Sequence, residues 1–170
     1  MKICLSLFCL LLGACTNMPK AIQNMNVVDI TYSQASQNIE SHRNVPVRWG
    51  GIIIDVENEE DFSLIQVLSY PLNFSGRPQL DDSHGGRFVI KSAEFLDPMV
   101  YAKDNQISVV GTLDGDIQRT VGKKIIQVPL IQSMGIHLWP KRQNNHYGFG
   151  PHHYYSYPFF RGGYYYPYRY

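Results

Sequence analysis

The sequence is short of cysteine, of charge of either sign and of long apolar runs. Its 3 cysteines, Cys4, Cys9 and Cys15, all fall within the first 15 residues. A chain cleaved before Cys15 therefore keeps one thiol and forms no internal disulfide. Lys and Arg number 15 against 14 Asp and Glu, a net charge of +1. Affinity for polyanions comes mainly from clustered Lys and Arg that neutralise phosphates, so no nucleic acid partner is expected. Charged residues make up only 17% of the chain, which argues against a solvated helix or an acidic disordered chain and suits a β-rich domain. The apolar run from Ile3 to Leu12 is about half the ~20 residues a spanning helix needs. No Gly-x-Ser-x-Gly elbow, phosphate-binding loop or zinc-type Cys and His spacing occurs. A non-enzymatic protein without a resident cofactor or metal is the expectation.

What is there begins at the N-terminus. Met1-Lys2 gives a positive start, Ile3 to Leu12 has the length of a signal-peptide core, and the run ends in Leu12-Gly13-Ala14-Cys15. This is the pattern of a bacterial lipobox. Small residues let an extended backbone enter a narrow protease cleft, and the thiol is the nucleophile that accepts a diacylglyceryl group. Cleavage between Ala14 and Cys15 is expected, with lipidation of Cys15 and acylation of the new amino terminus. Two or three acyl chains hold a protein to a bilayer essentially permanently. Cys15 is read as an anchor. An Asp after the cysteine is the usual inner-membrane retention signal in enteric-type bacteria, so Thr16 favours the outer membrane, on its periplasmic face.

The chain divides into a signal peptide over residues 1–14, a lipidated tether over 15–44 with a short helix around Ser33 to His42, a β-domain over 45–140 and a tail over 141–170. In the domain, β-branched and aromatic runs are divided by turn residues. Ile52, Ile54 and Val56 alternate with Ile53, Asp55 and Glu57 in the first strand, Val47 to Glu57, whose Gly50-Gly51 pair suggests a bend. Phe62 to Leu72 is the returning strand, Asn73 to Gly86 a loop, and Arg87 to Phe95 the third strand. Asp97-Pro98 starts a turn. Ile107, Val109, Gly111 and Leu113 form one face of a fourth strand, with a hairpin at Asp114-Gly115-Asp116. Ile125 to Ile131 follows, placed at an edge by Pro129, and Ile136 to Trp139 closes the domain. The pattern predicts an all-β fold, a five- to six-stranded antiparallel OB-like Greek-key barrel, with a small sandwich as the alternative.

Val47-Arg48-Trp49-Gly50-Gly51, Ser75-Gly76-Arg77-Pro78, Gly86-Arg87-Phe88, Phe95-Leu96-Asp97-Pro98, Val109-Val110-Gly111-Thr112-Leu113-Asp114-Gly115 and His137-Leu138-Trp139-Pro140, in that order and spacing, resemble the Slp family of outer-membrane starvation lipoproteins. The resemblance covers the lipobox and about residues 45 to 140. It implies a lipid-anchored envelope protein associated with stationary phase or carbon starvation, with no established catalytic residues.

Few residues suggest chemistry. Glu57, Glu59, Glu60 and Asp61 fit a solvated hairpin turn better than paired catalytic carboxylates. Trp49 and Trp139 either fill the ends of the barrel or stack on a ligand. Arg48 and Arg87 read as strand-surface charges. Gln143 to Tyr170 holds nine Tyr, three Phe and three His among Gly and Pro; it reads as a flexible appendage, either a disordered tail or an adhesive arm whose rings meet lipid headgroups, sugars or a protein. His146, His152 and His153 are weak candidates for Zn²⁺ or Cu²⁺. The expected partners are the membrane, through the lipid anchor, and an envelope protein, peptidoglycan or another glycan. The leading reading is a lipoprotein that supports envelope integrity or stress adaptation by binding an envelope component. The alternative is a binding module for a glycan, peptidoglycan fragment or small metabolite on the barrel face.

Overall fold

The computed structural model describes residues 18–23 and 26–141. Signal peptide, lipobox, Cys15 and the Tyr-rich tail with His146, His152 and His153 lie outside the described residues.

Five strands, β1 Pro46–Asn58, β2 Ser63–Tyr70, β3 Gly86–Ser92, β4 Gln106–Val121 and β5 Lys124–Leu138, close into a barrel in the order β1-β2-β3-β5-β4. This is the order of an OB-type Greek-key barrel. All pairings are antiparallel except that of β3 with β5, which is parallel from Val89↔Leu130 to Lys91↔Gln132. The inward faces follow the two-residue period of a pleated strand. Val47, Trp49 and Ile53 of β1, Ile65 and Val67 of β2, Phe88 and Ile90 of β3, Ile107, Val109 and Leu113 of β4 and Ile131 of β5 make one core.

Gly50 and Gly51 pair with β2 and β4 at once, so β1 belongs to both halves of the barrel there. Neither has positive φ. The reason for Gly51 is close approach, since a Cβ would overlap the Leu68 carbonyl oxygen. The bulge lies instead between Ile53 and Asp55. One inserted residue reverses the parity of all that follows. Ile53 and Val56, three apart, therefore both meet the core, whereas the sequence alternation groups Ile52, Ile54 and Val56.

The hairpin expected at Asp114-Gly115-Asp116 is not a turn. Gly115, at φ 74, sits in a second bulge, and β4 continues to Val121. An Asp-Gly pair serves a bulge as well as a turn, because both need a left-handed residue. The reversal falls at Gly122-Lys123, with φ 62 at Gly122 alone, the pattern of a type II′ turn with glycine first. Pro129 is not on an edge strand, because β5 has β4 on one side and β3 on the other. It pairs with Asp116 just before the β3 pairing begins at Leu130, so the residue without an N–H stands where β5 has no β3 neighbour. The free arm of this hairpin brings Val128, Ile117 and Ile126 to Leu64 and Val89, forming a second apolar cluster on the outer face of β2 and β3. Arg119 of the arm donates to Glu57 at 2.8 Å.

The stretch expected as a tether is structured where it is described. The helices α1 Lys20–Gln23 and α2 Tyr32–Gln37, followed by a 3-10 turn at Ile39–His42, pack on the barrel and bury Ile22 and Ala35 completely. Thr31 and Gln34 form a capping box that starts α2. The expected short helix is there, but the folded unit begins well before residue 45. Its polar sequence hides this because, among its described residues, only Ile22 and Ala35 are fully covered, and Arg48 and Trp49 reach it through backbone carbonyls.

Candidate functional site

Arg48 and Trp49, next to each other on β1, hold the N-terminal segment by carbonyl contacts. Arg48 Nε donates to Ile22 O at 2.8 Å, and Trp49 Nε1 donates to Ile30 O at 2.8 Å. The indole lies inside the barrel end, edge-on to Phe88 with ring centroids 5.5 Å apart and tilted to Tyr32 at 5.6 Å. Trp49 is thus a packing residue that also fixes Ile30 and Tyr32. Gly85 and Gly86 allow the backbone to lie against the Tyr32 ring. Burial raises the Tyr32 pKa, against the hydrogen bond to the Arg87 backbone that lowers it.

This arrangement leaves an open groove of about 490 Å³ between residues 29–33, the end of β2 and the 83–85 loop. The volume is within the range of small-molecule sites. Asp29, Arg48, Tyr32, Tyr70, Ser83 and His84 are among its lining residues. Tyr70 and His84 meet edge-on with centroids 6.2 Å apart. Aromatic rings beside hydroxyls, a guanidinium and a carboxylate can hold a polar, hydroxyl-rich ligand by stacking and hydrogen bonding. Sequence reasoning singled out only Arg48 and Trp49 of this groove. The Thr31-x-x-Gln34 capping box was the one signal that residues 29–34 are ordered, while Tyr70 and His84 come together only through the loop between β2 and β3.

Trp139 occupies a different place. Its Nε1 donates to Ser108 Oγ at 2.9 Å, and Ser108 Oγ in turn donates to Gly76 O at 2.6 Å. Arg77 lies over the indole, 5.4 Å from its centroid, while its guanidinium donates to Gln106 Oε1 at 2.7 Å and Pro140 O at 2.9 Å. His137 packs edge-on against Trp139 at 4.4 Å, and desolvation, then the nearby Arg77 charge, lower its pKa. The separated motifs Ser75-Gly76-Arg77-Pro78 and His137-Leu138-Trp139-Pro140 therefore form one clasp that locks the loop after β2 onto β4 and the end of β5. Asp97 also acts locally, its Oδ1 accepting from Met99 N at 2.8 Å. Glu59, Glu60 and Asp61 lie exposed in the turn between β1 and β2. Among the described residues no group of three or more His, Cys, Asp or Glu could hold a metal.

Comparison with known proteins gives this chain its family. The family model described as "Outer membrane lipoprotein Slp family" matches residues 12–169. The chain belongs to this family. The match starts at Leu12, the first residue of the expected lipobox, and passes beyond residue 140. The "Outer membrane protein Slp" of Escherichia coli (strain K12) is 27% identical over 135 residues, covering 78% of this chain and 71% of that protein. The "Uncharacterized lipoprotein YeaY" of the same strain is 25% identical, covering 78% and 68%. As a member of the Slp family the chain is an outer-membrane protein. Among solved structures, a small single-stranded DNA-binding protein from Streptomyces coelicolor matches 56% of this chain and 94% of its own, at 10% identity and a TM-score of 0.36. The N-terminal domain of PriB from Thermoanaerobacter tencongensis matches 58% and 98%, at 13% and 0.33. At those scores neither carries an argument about this chain.

Proposed function

We propose that this Slp-family member is a non-enzymatic lipoprotein, anchored by acyl chains on Cys15 to the periplasmic face of the outer membrane, which supports the envelope under starvation or stress by holding an envelope component. The observation that carries the reading is the Leu12-Gly13-Ala14-Cys15 box at the start of the region that matches the family. In the wild type, a radioactive fatty acid should label the protein and the label should fractionate with the outer membrane. Cys15→Ser should abolish labelling and leave the precursor uncleaved, because serine is a far weaker nucleophile than a thiolate. Label retained by the serine variant refutes the anchor.

The groove beside Tyr70 and His84 favours a more specific reading, a binding module for a glycan or peptidoglycan fragment. Its volume and its mixture of aromatic and hydroxyl groups suit a sugar. Titration with soluble peptidoglycan fragments tests it: heat or a chemical-shift change lost in Tyr70→Ala supports the reading, and no response in the wild type removes it.

A further inference from the structure

Close to the start of the described chain, beside the exposed Lys20, lies an apolar surface. Met18 lies against Gly76, with its Cε and Cγ 3.6 and 3.7 Å from where a Cβ would stand. Around it Val28, Leu72 and Phe74 line a shallow depression of about 350 Å³ together with Asp29 and Arg48. Phe74 is 84% exposed and Val28 49%. An aromatic ring held in water at the tip of a tightly bonded turn has no packing role. The turn itself is rigid, since Asn73 Oδ1 accepts from Ser75 N at 3.0 Å and from Arg77 N at 2.9 Å, and the clasp on Ser108 fixes it to β4.

The length of the leader decides what covers this patch. Met18 is three residues from Cys15, and three extended residues reach at most about 11 Å. With its acyl chains in the bilayer, the protein cannot move Met18 and its neighbours far from the lipid headgroups. We infer that the Met18, Val28 and Phe74 surface is a membrane-docking face, which seats shallowly in the outer-membrane leaflet and fixes the orientation of the barrel on it. The inference rests on acylation of Cys15. Apolar and aromatic side chains are favoured at the boundary of headgroups and acyl chains, where they leave water without any backbone group losing its partner. Docking by this face makes the β4–β5 hairpin tip, thirteen residues along β4 from Ser108, the part turned away from the lipid.

The test uses the full acylated protein in vesicles of phosphatidylethanolamine and phosphatidylglycerol. Cys15 is consumed by the lipid, so Phe74→Cys, Val28→Cys and Lys123→Cys each provide a single free thiol for an environment-sensitive nitrobenzoxadiazole label. All three positions are on the surface and leave the core intact. Labels at 74 and 28 should emit to the blue and fall about twofold in intensity when nitroxide lipids are included. The label at 123 should do neither. If the protein floats with the vesicles but labels at 74 and 28 behave like that at 123, the docking face is refuted while the anchor stands. If the protein neither floats nor carries fatty acid, the anchor fails and the docking face falls with it.

Discussion

Gly51 is the position at which the barrel geometry can be tested most sharply. Its missing side chain would point into the barrel, where a Cβ would overlap the Leu68 carbonyl oxygen and stand 2.7 Å from the Leu68 carbonyl carbon and 2.9 Å from Val67 Cγ1. Two of these three atoms are backbone of the paired strand β2, so no rotamer change relieves them. In Gly51→Ala the strands must separate or slide where β1 is paired on both sides. Overpacking of this kind costs roughly 1–3 kcal/mol, and one ladder hydrogen bond weakened on each side of β1 adds about 1 apiece. The lower entropy of the unfolded alanine chain returns about 0.4–1 kcal/mol, leaving a net loss of about 3. At about 4 °C per kcal/mol for a domain of this size, the midpoint should fall about 12 °C. Circular dichroism melting of the unacylated chain from Thr16 is the assay. Gly122→Ala is the control, because nothing lies within 4 Å of its Cβ and only its φ of 62 is opposed, at about 1–2 kcal/mol. A Gly51→Ala midpoint within about 3 °C of wild type, or above that of Gly122→Ala, refutes the close-approach argument.

A chain cut to begin at residue 45 should melt well below one beginning at residue 16, since it loses the buried Ile22 and Ala35 and the Ile30 carbonyl that accepts from Trp49; burial of Ile22 alone contributes about 1.5–3 kcal/mol, and equal midpoints would return residues 18–44 to the status of a tether. Arg77→Lys should lower stability by about 1–2 kcal/mol, because a lysine cannot stack on Trp139 and bond to both Gln106 and Pro140; urea unfolding measures it, and an unchanged midpoint denies the clasp its structural role. His137 has a folded pKa below its unfolded value, so the unfolded state takes up the proton first, and stability falls as pH drops through 6.5 towards the folded value. His137→Gln should therefore flatten the dependence of the melting midpoint between about pH 7.5 and 5.5, and a dependence as steep as in wild type would remove His137 as a cause.

Strand number, the inward face of β4 and the loop between β2 and β3 could be read from the sequence, because alternation and turn residues are local signals. The ordered motifs were legible for the same reason, and the family they resemble is the one whose model matches residues 12–169. Parity was not legible in β1, where a bulge between Ile53 and Asp55 leaves no mark in composition. Nor was the choice between turn and bulge at Asp114-Gly115-Asp116, since both use the same left-handed glycine. Tertiary structure alone decided that Pro129 stands just before the β3 pairing on a strand with neighbours on both sides, and that Trp49 and Trp139 belong to separate assemblies. It also brought Tyr70 and His84 together across a loop of more than a dozen residues, and it placed the polar stretch before residue 45 on the barrel. These outcomes depend on which distant backbone carbonyl meets which side chain, a relation fixed by strand register and closure rather than by any local pattern of residues.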